Sequence, residues 1–250
     1  MKVLESAAMN AGLPGLHERI AAVDWRRVET DLDAHGHAVV PQAFTPSECE
    51  EVASLYSTAQ DGRFRSRVVM QQHGFGRGEY QYFSYPLPRL IGHARDLFYE
   101  RLAPIANRWN EALGIDTRFP PRHAEFLERC HAAGQSRPTP LLLKYGAGDY
   151  NCLHQDLYGE HVFALQVVVL LSVPGRDFEG GEFVMTEQRP RRQSRAMVVP
   201  LHQGDAAVIA VRHRPVVGTR GVYRVNVRHG VSRVRVGNRF TAGIVFHDAA

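Results

Sequence analysis

The sequence has few cysteines, no long apolar run and no secretory leader pattern. Its three cysteines are odd in number and widely spaced, so a disulfide framework is not expected and a reducing cytoplasm fits the chain best. The longest mainly apolar run, residues 162–171, has the length of a strand and is too short to span a membrane as a helix. Residues 1–15 lack the apolar stretch of a secretory signal. These absences predict a cytoplasmic protein with no membrane partner.

Lysine is nearly absent, and arginine supplies almost all of the positive charge. The net charge of +4 is uneven: residues 1–150 carry one more acidic than basic residue, whereas residues 151–250 carry 13 arginines against eight acidic residues. A basic surplus of this kind can face a polyanion, although an arginine-rich composition can also reflect the genome alone. Four of these arginines surround one predicted loop, which either contacts phosphates or is simply solvated: Arg189, Arg191, Arg192 and Arg195.

Residues 1–137 have mainly helical patterns. Thr45-Pro46-Ser47-Glu48 is a capping box with proline at the first helical position, and Gly36 and Gly134 are helix stops. We predict a short strand at 37–40 and helices at 25–34, 46–56, 90–113 and 122–132. Residues 63–85 are strand-like and combine arginines with aromatics, namely Arg63, Arg65, Arg67, Phe75, Tyr80 and Tyr82. This segment either forms an extra strand pair or holds phosphates and stacks a base, and the sequence leaves open whether it is a substrate lid.

From residue 138 onward, short β-patterned runs follow one another without an intervening helix pattern. The predicted strands are 141–145, 152–157, 162–171, 182–187, 206–211, 222–229 and 239–246. Many short strands without crossover helices predict antiparallel pairing in a sandwich, jelly roll or barrel. We therefore predict a mainly β fold, with a core over 138–250 and an N-terminal helical and strand elaboration over 1–137 packed on it.

The strongest chemical signal is His154-Gln155-Asp156 at the start of the β region. Residues two apart on a strand face the same way, so the imidazole and the carboxylate can converge. His229, 75 residues later, ends a predicted strand and is a candidate third ligand. Two histidines and one carboxylate suit Fe(II), because they leave open sites for a bidentate cosubstrate and O₂. Taken alone, a histidine and an aspartate two apart are more often a hydrogen-bonded strand pair.

Arg239 follows His229 by ten residues, after a Gly237-Asn238 turn, and begins the last predicted strand. Arg239 and Thr241 are again two apart on a strand, so a guanidinium and a hydroxyl can grip one carboxylate. The alternative is an arginine that merely flanks a surface turn. The conjunction of this pair with the histidines and the aspartate favours a binding site.

Three other histidines of the β region compete with His229 for the metal: His202, His213 and His247. His213 follows an apolar strand, but the residue ten positions beyond it is Tyr223 and not a basic anchor. We therefore prefer His229. Cys152 lies two residues before His154 and can approach the site, although a buried free thiol is the commoner outcome. A structural zinc is disfavoured, because zinc prefers a tetrahedral set with more cysteines or histidines.

Several further motifs flank these residues. They are Tyr145-Gly146-Ala147-Gly148, Phe178-Glu179-Gly180-Gly181-Glu182-Phe183, Gly204-Asp205 and His229-Gly230-Val231. Together, over about residues 138–248, they resemble the Fe(II)/2-oxoglutarate-dependent dioxygenases with a prolyl-hydroxylase-like core. The resemblance implies a double-stranded β-helix, that is, a jelly roll. It also implies Fe(II) bound by His154, Asp156 and His229, O₂ as oxidant, and 2-oxoglutarate held by Arg239 with Thr241 and Tyr145.

More narrowly, the C-terminal region resembles a bacterial subgroup described as acting in the oxidative demethylation of damaged DNA. This resemblance implies an oxidoreductase that couples decarboxylation of 2-oxoglutarate to hydroxylation of a substrate, with alkylated DNA as the candidate partner. The implied role is similar to that of AlkB, but AlkB-type enzymes place this arginine farther beyond the distal histidine than the ten residues between His229 and Arg239, as the prolyl-hydroxylase-like core has it. A protein side chain or a small metabolite therefore stays open as the substrate. A non-catalytic jelly-roll sensor is the third alternative, and the oligomeric state is left open.

Overall fold

The computed structural model describes residues 15–57, 62–219 and 221–250. Residues 1–14, which carry most of the segment tested above for a secretory signal, lie outside this part. The α-helices of the described residues are α1 Leu16–Ala21, α2 Trp25–His35, α3 Pro46–Ser54, α4 Arg89–Ala112 and α5 His123–Ala132. None of the described helices has the length and apolar character to cross a bilayer.

The strands fill most of the chain after α5, and a few of them precede α4. They are β1 His37–Val40, β2 Phe64–Val69, β3 Gly76–Arg77, β4 Glu79–Phe83, β5 Leu141–Tyr145, β6 Tyr150–His154, β7 Leu165–Leu170, β8 Phe178–Gly180, β9 Phe183–Gln188, β10 Arg195–Val199, β11 Ala206–Ala210, β12 His213–Gly218, β13 Gly221–Val231, β14 Val234–Gly237 and β15 Arg239–Ile244. A short 3₁₀ helix, Met70–His73, follows β2.

The strands form two main antiparallel sheets. The major sheet has seven strands in the order β1-β11-β7-β15-β5-β4-β2. The minor sheet has the order β10-β9-β13-β6-β3, and β12 also pairs with β13. A small third sheet pairs β8 with β14. This arrangement confirms the predicted mainly β, jelly-roll fold.

Capping residues define the start of α3 and the end of α2. Thr45 accepts a hydrogen bond from the Glu48 amide and the Glu48 carboxylate accepts one from the Thr45 amide, so the predicted capping box opens α3. Gly36 ends α2 with a φ of 76°, a left-handed conformation that favours glycine. The helix α4 packs against β7, β12 and β15. Every residue of β7 is buried, because the strand is covered on both faces.

Strands from the N-terminal part join the same sheet as strands from the C-terminal part. The strand β1 pairs with β11, and β4 pairs with β5 along Glu79 to Tyr82. Residues 63–85 therefore contribute β2, β3 and β4, and β2 and β4 form the extra strand pair at the edge of the major sheet. The boundary between 1–137 and 138–250 stays a prediction, since both parts share one sheet.

The predicted strand 152–157 is wrong at its C-terminal end. The strand β6 pairs with β13 only as far as His154, which lies opposite His229. Beyond that point β12 pairs with β13, from His213 opposite Asn226 onward. The chain after His154 therefore pairs with no strand of the described residues, and Asp156 lies on a loop. This loop turns the carboxylate toward the space between the sheets.

Candidate active site

A cavity of about 340 Å³ opens between the two main sheets. The major sheet lines it with residues of β5, β7 and β15, and the minor sheet lines it with residues of β6, β9 and β13. Its wall is largely apolar, and its polar side chains include those predicted from the sequence: His154, Asp156, His229, Arg239, Thr241 and Tyr145. A cavity of this size and lining is typical of small-molecule sites.

His154, Asp156 and His229 lie together on one wall of the cavity. One ligand atom from each residue can be chosen so that all three lie within 4.8 Å of one another. The nearer carboxylate oxygen of Asp156 is 3.5 Å from His154 Nε2, and the other oxygen is 3.3 Å from His229 Nε2. Two imidazoles and one carboxylate in this arrangement could hold one metal ion. Their role as metal ligands stays a prediction.

Hydrogen bonds orient two of these three groups. His154 Nδ1 donates to the carbonyl oxygen of Cys152 at 2.8 Å, which turns Nε2 toward the cluster. Tyr158 donates to one oxygen of Asp156 at 2.8 Å, and the Gln166 amide donates to the other at 2.9 Å. A carboxylate held on both oxygens keeps its position when a metal binds.

Electrostatics keep the carboxylate charged and His229 neutral. Burial alone would raise the pKa of Asp156, but hydrogen bonds and charge from His154 and His229 hold that pKa well below its ordinary value. Burial and the neighbouring His154 lower the pKa of His229. A charged carboxylate and a neutral imidazole are the forms that bind a metal.

Sequence reasoning missed Gln166 and Tyr158. Gln166 is 2% exposed, and its Nε2 atom also lies 3.2 Å from His229 Nε2. A signal was present, because Gln166 is the one polar residue in the apolar run 162–171. Tyr158 follows Asp156 by two residues, a spacing that carries no specific signal.

Arg239 is a buried cation without an acidic partner in the described part of the chain. Its side chain is 1% exposed, it donates to the Thr241 hydroxyl, and its Nε atom has no hydrogen-bond acceptor. Burial lowers the pKa of Arg239 to about 10. Two other arginines of the described residues are as deeply buried, but Arg95 pairs with Asp248 at 2.7 Å and Arg214 pairs with Glu187. A buried charge without a partner is costly, and its place on the cavity wall indicates a site for an anion.

Tyr145 and Thr241 lie beside Arg239. The guanidinium carbon of Arg239 is 5.7 Å from the centre of the Tyr145 ring. The Tyr145 hydroxyl accepts a hydrogen bond from the Asn151 amide at 3.2 Å, and Thr241 is 2% exposed. Both hydroxyl groups border the same cavity. Hydroxyl donors around a guanidinium are a suitable setting for a carboxylate.

The rival histidines lie apart from the cluster. His202 is exposed and contacts the buried side chain of Asp205, His213 is half-buried on β12, and buried His247 accepts a hydrogen bond from the Phe163 amide at 3.3 Å. The expectation that Cys152 is a buried thiol is wrong. Its side chain is exposed and borders the cavity.

The four arginines that surround the predicted loop lie on the hairpin that connects β9 and β10. Arg189 pairs with Glu187 at 2.8 Å, while Arg191 and Arg192 are exposed. In the 63–85 segment, Arg65 stacks over the Tyr82 ring at 4.3 Å. Phe75 and Tyr80 of that segment border the cavity.

Solved structures share this fold. A prolyl-4-hydroxylase of Pseudomonas putida has a TM-score of 0.53 and 11% identity, covering 90% of this chain and 100% of that chain. A Burkholderia pseudomallei oxidoreductase of the 2OG-Fe(II) oxygenase family has a TM-score of 0.51 and 16% identity. The match covers 92% of this chain and 94% of that chain. A Trichoplax adhaerens prolyl hydroxylase, solved with a hypoxia inducible factor peptide, has a TM-score of 0.52 and 12% identity. The match covers 93% of this chain and 92% of that chain. These likenesses establish the fold.

Sequence comparison establishes the family. Two proteins of Mycobacterium tuberculosis, from strains CDC 1551 and H37Rv, are each 47% identical over 190 residues, which is 76% of this chain and 79% of each relative. Both are described as uncharacterized proteins. The Oxygenase-NA family model, described as an oxygenase catalysing oxidative methylation of damaged DNA, matches residues 78–249. Because that match covers well over half of the chain, the protein belongs to the Oxygenase-NA family, and the predicted oxygenase class is confirmed.

Proposed function

We propose that this oxygenase binds Fe(II) and 2-oxoglutarate in the cavity between its sheets and uses O₂ to oxidise alkylated bases of damaged DNA. The observation that carries the proposal is that two groups face the same cavity from its two sheets. One is the cluster of His154, Asp156 and His229, and the other is Arg239, a cation with no acidic partner among the described residues. The ligand 2-oxoglutarate matches both, because it has a keto acid that binds a metal at one end and a carboxylate at the other.

The residues fit the metal and the cosubstrate. His154, Asp156 and His229 supply the donor set that suits Fe(II), with the carboxylate already held by Tyr158 and Gln166. When bound, Fe(II) supplies the oxidation of a substrate C–H bond coupled to the conversion of 2-oxoglutarate and O₂ into succinate and CO₂.

The protein residues position and shield the reactants. Arg239 and Thr241, with Tyr145 beside them, hold the distal carboxylate of 2-oxoglutarate by charge-assisted hydrogen bonds. The apolar residues of the cavity wall, such as Leu143 and Phe183, exclude water. The edge near Phe75, which is 48% exposed, is open to a substrate.

The family description supports damaged DNA as the substrate. Oxidation of an N-methyl group gives a hydroxymethyl group that leaves as formaldehyde, so demethylation is the direction that an oxygenase takes. Hydroxylation of a protein side chain is the second candidate, supported by the ten-residue spacing from His229 to Arg239. We place the enzyme in the cytoplasm, in keeping with its three free cysteines.

A succinate-release screen tests this proposal. The protein, with Fe(II) and 2-oxoglutarate, is offered methylated single-stranded DNA, peptides and small metabolites in parallel, and His229→Ala serves as the inactive control. We expect substrate-stimulated succinate with methylated DNA. Stimulation by peptides alone would favour the protein hydroxylase. Failure of iron and 2-oxoglutarate to produce the charge-transfer absorption band of such sites would favour a sensor without catalysis.

A further inference from the structure

The chain from β9 to β13 presents an exposed surface of one charge sign. Residues 183–231 contain nine arginines and only two acidic residues, Glu187 and Asp205. Both acidic side chains are buried, with 2% and 5% exposure. Glu187 pairs with Arg214, and Asp205 accepts hydrogen bonds from the amides of Gln42 and His202. The described exposed surface of this segment therefore carries arginines and no carboxylate.

Two of these exposed arginines lie on one strand, β13. On β13, Val225, Val227 and His229 are buried, and the residues that alternate with them are exposed. The exposed residues are Arg224, Asn226 and Arg228. Because alternate residues of a strand share a face, these three lie in a row on the outer face of the minor sheet. The two arginines are about 13 Å apart, since a strand rises about 3.3 Å per residue.

The C-terminal end of the row adjoins the part of β13 that lines the cavity of the candidate active site. Arg228 immediately precedes His229, whose side chain points to the opposite, inner face. Gln155 borders the cavity, and its amide donates to the carbonyl oxygens of Val227 at 2.8 Å and Arg212 at 3.2 Å. Gln155 thus connects the loop between His154 and Asp156 to the middle of the row. Arg228 and His229 are therefore neighbours in sequence on opposite faces of one strand, the first beside solvent and the second beside the cavity.

We propose that the outer face of β13, through Arg224, Asn226 and Arg228, binds the phosphate backbone of the DNA strand whose damaged base enters the cavity. This inference rests on the proposed function, because it takes DNA as the substrate. Spaced cations on an exposed strand suit a linear polyanion better than one small anion, which would need converging groups. The intervening amide of Asn226 adds a hydrogen-bond donor to phosphate or sugar.

The test compares two double variants that change the net charge equally. The variant R224E/R228E alters the row, and the control R26E/R101E alters exposed arginines on α2 and α4. Affinity for a fluorescent methylated single-stranded oligonucleotide is measured by anisotropy over a range of salt concentrations. For single strands each phosphate contact contributes a slope of about −0.7 to the plot of log affinity against log salt. Losing two contacts therefore weakens binding about 25-fold at 0.1 M salt and reduces the slope by about 1.4.

We expect this loss in R224E/R228E alone, with the thermal midpoint and the affinity for 2-oxoglutarate unchanged. Equal DNA binding by the two double variants would overturn the inference and leave the proposed function standing. If wild-type protein releases succinate with a peptide or metabolite and binds no DNA, the proposed substrate and this inference both fail. Tighter binding of an RNA oligonucleotide of the same sequence, with DNA binding insensitive to R224E/R228E, would also overturn it.

Discussion

Replacing Arg239 with methionine is expected to stabilise the protein while it weakens 2-oxoglutarate binding. Burial lowers the pKa of Arg239 to about 10, which is about 2.5 below the ordinary value of an arginine. One pKa unit corresponds to about 1.4 kcal/mol, so burying this charge costs the folded state about 3 kcal/mol. Methionine avoids that cost, but it loses the hydrogen bond to Thr241, worth about 1 kcal/mol. The net gain is about 2 kcal/mol, or about 4–8 °C in melting temperature for a chain of this size.

The same substitution at Arg95 is the matched control. Arg95 is equally buried, but it pairs with Asp248, which is 0% exposed. Arg95→Met leaves that carboxylate without its cation, so we expect a loss of about 3–5 kcal/mol. Urea unfolding of the protein without 2-oxoglutarate measures both values.

Binding of 2-oxoglutarate provides the second readout. Arg239→Met removes a charge-assisted contact worth about 1.5–3 kcal/mol, so the affinity should fall at least tenfold. Titration calorimetry on protein loaded with a redox-inert divalent metal checks this value without turnover. The reasoning is refuted if Arg239→Met destabilises the protein as Arg95→Met does, or if it binds 2-oxoglutarate as tightly as the wild type.

Three further predictions follow from the same contacts. His229→Ala should abolish binding of a divalent metal while the fold is kept, whereas His213→Ala should retain it; equilibrium dialysis that gave the reverse would assign the third ligand to His213. Gln166→Leu should weaken metal binding about tenfold, because Asp156 loses the hydrogen bond from the Gln166 amide and keeps the one from Tyr158. This value is the lower end of the loss that follows when a residue orienting a metal ligand is replaced. An unchanged metal affinity would show that Gln166 contributes only to packing. Burial would raise the pKa of Asp248, but the charge of Arg95 holds that pKa below its ordinary value. The ion pair with Arg95 therefore stabilises the folded protein above about pH 4, and this stabilisation is lost as the pH falls further. Acid unfolding should therefore be less steep in Asp248→Asn than in wild type, and the variant should be less stable at pH 7 by about 3–5 kcal/mol.

Local signals predicted many of the elements. The capping box at Thr45 and the stop at Gly36 place α3 and the end of α2 where the structure has them. The strand predicted at 141–145 coincides with β5. In each case, a few neighbouring residues determine the conformation, so a single sequence is sufficient.

Other features depend on distant partners. The strand β12 contains Pro215, and β10 is largely exposed, so neither has the regular alternation that predicts a strand. The loop position of Asp156 results from the replacement of β6 by β12 beside β13.

The same reason limits prediction of the candidate site. The residues His154, Asp156 and His229 could be proposed from residue type and spacing, because metal donors are chemically distinctive. That Arg239 has no acidic partner among the described residues could not be predicted, since it depends on which carboxylates pack nearby. Gln166 was visible as a polar residue in an apolar run, but its contact with Asp156 exists only in the folded sheet.

The ratio of formaldehyde to succinate, measured with a methylated single-stranded oligonucleotide, tests the central claim most directly. The wild-type protein with Fe(II), 2-oxoglutarate and O₂ should release the two products in equal amounts, while the oligonucleotide loses its methyl group. Arg239→Met should release little of either at a 2-oxoglutarate concentration near the wild-type KM. Succinate released without formaldehyde, with the methyl group still on the oligonucleotide, would contradict the assignment of damaged DNA as the substrate.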